Sequence, residues 1–178
     1  MHYLDEVAEA MKATQAENAI ALRMAVDKIA GCAGTVYVIG NGGSLTTAEH
    51  FALDLRKYAG IKHAWALGSA AMITAIANDE TFAFVFSAQL SGIVSADDLL
   101  IAFSFSARSR NIASALAVAQ RADADRILIT GPDGPSRRAQ VKVATLAIFV
   151  PSDNIRIVED VHLAIAHCIA QSIREAAA

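Results

Sequence analysis

The sequence predicts an α/β fold, a three-layer doubly wound parallel sheet of about five strands flanked by helices and preceded by a long N-terminal helix. Three observations lead there. Short β-branched apolar runs alternate with segments of helical periodicity along the chain. The best strands are apolar on both alternations, as strands covered on both faces are. Their strand–helix–strand order implies right-handed crossovers. The chain has 178 residues, which suits one domain over 1–178, divided into a helical segment over 1–30 and a core over 35–178.

Residues 2–30 read as one helix, because Leu4, Val7, Met11, Ile20, Leu22, Val26 and Ile29 recur at roughly helical spacing. Gly31 and Gly34 end it. It precedes the first strand, so it is no crossover and must pack on the domain's side or on another subunit. Residues 35–39 (TVYVI) are a strand, 40–44 a tight loop and 46–58 a helix. A second strand is expected over 63–67, then helices over 70–77 and 82–94 separated by Asn78, Asp79 and Glu80. A third strand over 99–103 runs into a Ser-rich loop through Ser109. A helix over 111–122, a strand over 126–130, a turn over 131–135 and a strand over 143–150 follow. Pro151 to Asn154 supply turn and N-cap chemistry for a last helix over 155–174.

Composition excludes several classes. Hydrophobic residues make up 54% and charged residues 19%, so the chain is not disordered. No apolar run approaches the ~20 residues that span a bilayer. The start, Met1 to Glu6, lacks the basic-then-apolar order of a signal peptide. Cys32 and Cys168 make neither a disulfide framework nor a zinc-finger spacing, so a cytoplasmic location is expected. A net charge of −3 argues against a nucleic-acid surface.

Two loops suit an anion. Gly40-Asn41-Gly42-Gly43-Ser44 lies between a strand and a helix, where backbone N–H groups and the helix dipole favour negative charge. Leu45 stands where a dinucleotide fingerprint has its third glycine, and no acidic residue ends the second strand. Taken alone, this loop is an ordinary strand-to-helix turn. Ser104-Phe105-Ser106-Ala107-Arg108-Ser109 also follows a buried strand and opens a helix, though singly it reads as a Ser-rich cap. Together, at neighbouring carboxyl ends of a parallel sheet, they favour a phosphorylated small molecule.

His50 and Asp54 are four apart and share a helix face. That spacing suits two metal ligands, a His–carboxylate acid–base pair, or plain surface decoration. The last helix carries Glu159, Asp160, His162 and His167 among Val158, Val161, Leu163, Ile165 and Ile169. Burying such a cluster without partners is costly, so it is either functional or the polar face of a packed helix.

These residues, taken in order, resemble the sugar isomerase (SIS) domain, in its phosphoheptose isomerase branch. The resemblance runs over nearly the whole chain. It rests on the glycine loop with His50-Phe51-Ala52, on Thr74 to Asp79 with Phe86-Ser87, and on Ser104 to Asn111 in place of a phosphate loop. Thr130-Gly131 with Asp133-Gly134, Val150 to Asp153, Glu159 to His162, and His167 complete it. The resemblance implies conversion of sedoheptulose 7-phosphate to D-glycero-D-manno-heptose 7-phosphate through an enediol. It implies one Zn²⁺, or another divalent ion, per site, held by His50, Asp54, Glu159 and His167. Asp54 and His167 would be catalytic. Asn41, Gly42, Gly43, Ser44, Asp79, Ser104, Ser106 and Ser109 would bind the sugar phosphate. A homotetramer is implied, with the first helix as an oligomerisation element and sites at the interfaces. Departures from the family pattern are Asp54 for glutamate, Glu159 for glutamine, and Phe105 and Ala107 in the phosphate loop. The arginine expected after the catalytic carboxylate is out of register, since Leu55-Arg56-Lys57-Tyr58 stands there. Glu159 and His167 lie some ~12 Å apart along a regular helix, so sharing one ion needs both side chains to lean inward. The alternative reading is a non-catalytic SIS-domain protein that binds a sugar phosphate or helps assemble a replication initiator.

Overall fold

The computed structural model describes residues 2–106, 108–132 and 138–177. Ala107 and most of the turn expected over 131–135, including Asp133 and Gly134, lie outside the described residues. Five strands form one all-parallel sheet: β1 (Val36–Ile39), β2 (Ala64–Ala66), β3 (Leu99–Ser104), β4 (Asp125–Thr130) and β5 (Leu146–Phe149), in the order β2-β1-β3-β4-β5. All six residues of β3 are buried, so the central strand is covered on both faces, as its unbroken apolar run requires.

Alternate strand residues feed two cores. On one face Val36, Val38, Ile101, Phe103 and Ile129 meet α2 (Ala19–Ala30), α3 (Gly43–Lys57) and α8 (Ile155–Ala176) through Ile29, Phe51, Leu55, Val161 and Ile165. On the other, Ile39, Leu100, Ala102 and Leu128 meet Phe86 and Leu90 with α6 (Arg110–Arg121) through Ile112, Ala115 and Leu116. The helix after β1 and the helix after β3 therefore leave the sheet on opposite sides. Strand order reverses between β1 and β3, and the loops at their carboxyl ends flank the crevice that such a switch point opens. Asn41 and Asn111 pair across it. The Asn111 amide donates to Asn41 Oδ1 at 2.7 Å, and the Asn41 amide donates to Asn111 Oδ1 at 3.1 Å.

Three local expectations change. The segment over 2–30 is two helices, α1 (His2–Glu17) and α2, broken at Asn18. The buried Asn18 amide donates to Thr14 O and Phe149 O, each at 2.9 Å, and its Oδ1 accepts from Phe149 N at 3.0 Å. One side chain thus acts as a strand partner for β5 and halts the helix, a competition open to short polar side chains. Both helices pack on α8. Asn18→Ala is expected to cost about 1–3 kcal/mol, because the Phe149 backbone loses both partners, and urea melts read this directly.

The expected helix over 82–94 is instead a 3-10 turn, Phe82–Phe84, and a single turn α5 (Ser87–Leu90). Val85, Phe86 and Leu90 plug the core, and Gly92 at φ 81° turns the chain away. The expected strand over 143–150 shortens to β5, because α7 (Arg138–Val143) takes its start. Arg126 Nε donates to Val143 O at 2.7 Å, holding the end of α7 against β4. Between β2 and the 3-10 turn, α4 (Ala70–Asp79) is apolar, yet none of its residues is buried within the chain. No helix of the described residues is long and apolar enough to cross a membrane.

Candidate active site

The glycine loop turns on Gly42, at φ 55°, where a side chain would be strained. α3 starts at the next residue. A Cβ on Gly43 would lie 2.8 Å from both carboxylate oxygens of Glu159, so glycine there makes room for that carboxylate. The first turns of α3 and α8 therefore touch at Gly43 and Glu159. Further along, His50 and Asp54 on α3 meet His167 on α8. The two helices run side by side in the same direction, each pair of contacts about eight residues beyond the last.

His50 Nε2 and His167 Nε2 lie 3.0 Å apart, with the rings edge to face at 72°. Asp54 Oδ2 is 3.4 Å from the first and 3.6 Å from the second. Asp54 is buried, whereas both histidines face outward. Two imidazole nitrogens aimed at one another beside a carboxylate oxygen need a proton or a cation between them. Around a tetrahedral zinc bound at 2.0–2.1 Å, such nitrogens stand about 3.3 Å apart, so this triangle fits a divalent ion. Ligand atoms of the three residues all lie within 4.8 Å of one another. Glu159 is not among them; its carboxylate stays at Gly43.

The sugar-phosphate residues named from the sequence gather elsewhere. Ser44 is buried in the first turn of α3, and Ser104 is buried at the end of β3. Ser106 Oγ accepts from Arg108 N at 3.3 Å, an arrangement that shapes the loop before α6. Asp79 ends α4, exposed, and accepts from the Asn78 amide at 2.8 Å. Asn41 and Ser109 share a cavity of about 350 Å³ with Thr81, Phe82, Arg110 and Asn111. His50, Asp54 and His167 instead line a groove of about 750 Å³ between α3 and α8. Periodicity alone had an unused signal for that groove's far end: Tyr58 is four residues beyond Asp54, and Arg174 seven beyond His167. Asn111, read from the sequence as the end of the Ser-rich stretch and the start of a helix, lines the same cavity as Asn41.

His162 has another role. It lies on α8 with no solvent exposure, its ring 5.5 Å from that of Phe103, and neither ring nitrogen makes a hydrogen bond of good geometry. Burial pushes its pKa down to about 3, and the nearby Thr130 backbone opposes this only in part. The ring is neutral in the folded chain, while the unfolded chain binds a proton near the ordinary histidine value. Stability from this group is therefore complete above about pH 6.5 and is lost as pH falls toward 3. Folding should be weaker by about 2–3 kcal/mol at pH 4.5 than at pH 7.5 on account of this residue. Urea melts of His162→Leu should lack that part of the acid loss; equal slopes for both proteins would exclude it.

Comparison with known proteins bears on this geometry. The SIS domain family model matches residues 2–131. The phosphoheptose isomerase of Dechloromonas aromatica is 31% identical over 157 residues, covering 84% of this chain and 80% of that one. That of Shewanella sp. (strain ANA-3) is 34% identical over 143 residues, covering 78% and 73%. Two solved phosphoheptose isomerases share the fold. The Francisella tularensis structure superimposes with a TM-score of 0.86 at 31% identity, and the Neisseria gonorrhoeae structure with 0.88 at 27%. Each covers 97% of this chain and 95% of its own. By that family match and those two phosphoheptose isomerase relatives above 30% identity, the chain belongs to the SIS domain family, in its phosphoheptose isomerase branch, and is an aldose–ketose isomerase of a sugar phosphate.

Proposed function

We propose that the chain converts sedoheptulose 7-phosphate to D-glycero-D-manno-heptose 7-phosphate through an enediol. The observation that carries this reading is the convergence of His50, Asp54 and His167 at one point of a groove. A 1,2-shift needs a base to take a proton from one carbon and return it to its neighbour, and an acid to serve the oxygens. Asp54 takes the carbon proton and returns it. One of its oxygens faces both imidazoles, which leaves the other for the substrate. His167 moves the proton between the two oxygens. His50, Asp54 and His167 would hold a divalent ion such as Zn²⁺, one per site. That ion, when bound, polarises the carbonyl and steadies the negative oxygen.

Glu159 lies about 12 Å before His167 on the same helix, with its carboxylate on Gly43, so it is left out of the ligand set. In this reading it accepts hydrogen bonds from the sugar's hydroxyls at the glycine loop, beside Asn41, Gly42, Gly43 and Ser44. Asp79, Ser104, Ser106 and Ser109 complete the sugar-phosphate contacts. Assembly as a homotetramer, with sites at the interfaces, is supported by the apolar helix α4, which packs Ile73, Ile76 and Ala77 on the core but has no residue fully buried within the chain. A cytoplasmic setting is supported by the two free thiols, Cys32 and Cys168.

The test is turnover. Zinc-loaded protein incubated with sedoheptulose 7-phosphate should form the aldose, followed by NMR, and a chelator-stripped sample should not. Folded, zinc-loaded protein that forms no aldose would remove this substrate.

A further inference from the structure

Glycines leave the loop after β1 with one side chain before Ser44, that of Asn41. The backbone on either side of it is fixed. A Cβ on Gly40 would collide with the Ser44 carbonyl, and Gly42 takes φ 55°. The Asn41 carbonyl accepts from Ser44 N at 3.0 Å as α3 begins. None of these restrains the Asn41 side chain. Its amide reaches across the crevice to Asn111, and Asn111 is the rigid member of the pair. It is buried in the first turn of α6, and Ile112, Ala115 and Leu116 seat that helix in the core. Its Oδ1 also accepts from Ile112 N at 3.0 Å. Asn111 thus stands on a helix packed on one side of the sheet, while Asn41 stands on a loop that leads to α3 on the other.

The two amides exchange one N–H each. That reciprocity fixes which way each lies, because turning either over would set nitrogen against nitrogen and oxygen against oxygen. An amide nitrogen carries two protons, and the pair uses one. Among the described residues no other hydrogen bond engages the Asn41 amide, so its second N–H remains for a ligand oxygen. Both asparagines line the cavity of about 350 Å³ that Ser109 and Arg110 share. A sugar phosphate offers that cavity many acceptor oxygens. An amide free to turn over would present oxygen as readily as nitrogen, and would lose that freedom on binding. An amide already held avoids the loss.

We infer that Asn111 is a positioning residue of the sugar-phosphate site: it holds the Asn41 amide so that Asn41 meets the sugar with an N–H of fixed direction. That Asn41 touches the sugar rests on the function proposed above; the coupling of the two side chains does not.

A double-mutant cycle on zinc-loaded protein tests this, read by calorimetric titration with sedoheptulose 7-phosphate and by kcat/KM. Asn41→Ala should weaken binding by roughly three- to tenfold, the effect of one hydrogen bond. Asn111→Ser keeps a hydroxyl at the start of α6 but is too short to reach Asn41, and it should weaken binding by about the same factor. Asn111→Ala should behave alike. The double variant should bind no more weakly than Asn41→Ala alone, since both changes act through one contact. A loss that came from loosening α6 would multiply with the loss in Asn41→Ala instead. Coupled losses of affinity in a protein that forms no aldose would remove the isomerase substrate and leave Asn111 in its role. No loss in either Asn111 variant beside a loss in Asn41→Ala, or losses that multiply in the double variant, would overturn the inference and leave the substrate standing. Unchanged affinity in Asn41→Ala, or no binding by the parent, would remove the Asn41 contact and the inference with it.

Discussion

Asp54→Asn is expected to lower kcat for the sugar-phosphate isomerisation by roughly 10²- to 10⁴-fold, the range for a general acid–base group. The amide keeps the side chain's size and place on the buried face of α3. What it loses is the charge and the capacity to take a proton. Its Oδ2 now stands 3.4 and 3.6 Å from the two imidazoles, and an NH₂ turned toward them offers a donor where a lone pair is needed. Affinity for the divalent ion should fall as well, which competition against a chromophoric chelator reads separately from turnover. The fold should persist, because only a charge is removed from a position that keeps its packing. Full turnover by zinc-loaded Asp54→Asn would take the proton-transfer role away from this residue. Loss of turnover with metal affinity intact would assign the effect to proton transfer alone.

Phe103→Ala is expected to cost about 3–5 kcal/mol of stability, the largest effect of any core truncation considered. For a chain of this length that lowers Tm by roughly 6–20 °C. Phe103 is fully buried in the central strand and joins three elements. Its ring lies edge to face with Phe51 of α3, centroids 6.0 Å apart at 80°, and 5.5 Å from His162 of α8. The two helices that carry His50, Asp54 and His167 are thus seated on one aromatic ring. The cavity left by alanine should loosen both, so kcat should fall even at temperatures where the variant is folded. Phe103→Leu refills most of the volume and should recover most of the stability. A thermal scan showing a shift below about 2 °C for Phe103→Ala would mean that the two helices are held without this ring.

The strands were legible because a strand segment buried on both faces must be apolar, as Val36 to Ile39, Leu99 to Phe103 and Ile127 to Ile129 are. The glycine loop was legible because few sequences put three glycines between a strand and a helix. The His50–Asp54 pair was legible as a spacing, without a reason to prefer it over surface decoration. The reason came from α8. His167 is 117 residues from His50, and only the docking of α3 beside α8 brings their nitrogens to 3.0 Å.

Other features had no local signature. Asn18 breaks the first helix because Phe149, on the edge strand, offers its amide and carbonyl, and that partner lies 131 residues away. Glu159 and His162 occupy one helix turn and look alike in sequence. One reaches Gly43, where glycine leaves space, and the other is sealed against Phe103 and forced neutral.

The sequence by itself determined the alternation of strands and helices, the two anion-suited loops and the residue types of the site. These depend on hydrophobic period and backbone freedom, both local properties. Tertiary structure alone decided which histidines meet at the Asp54 carboxylate, which acidic side chain stands apart from them, and how far the groove extends. Those depend on distances between helices that meet only after the sheet has formed.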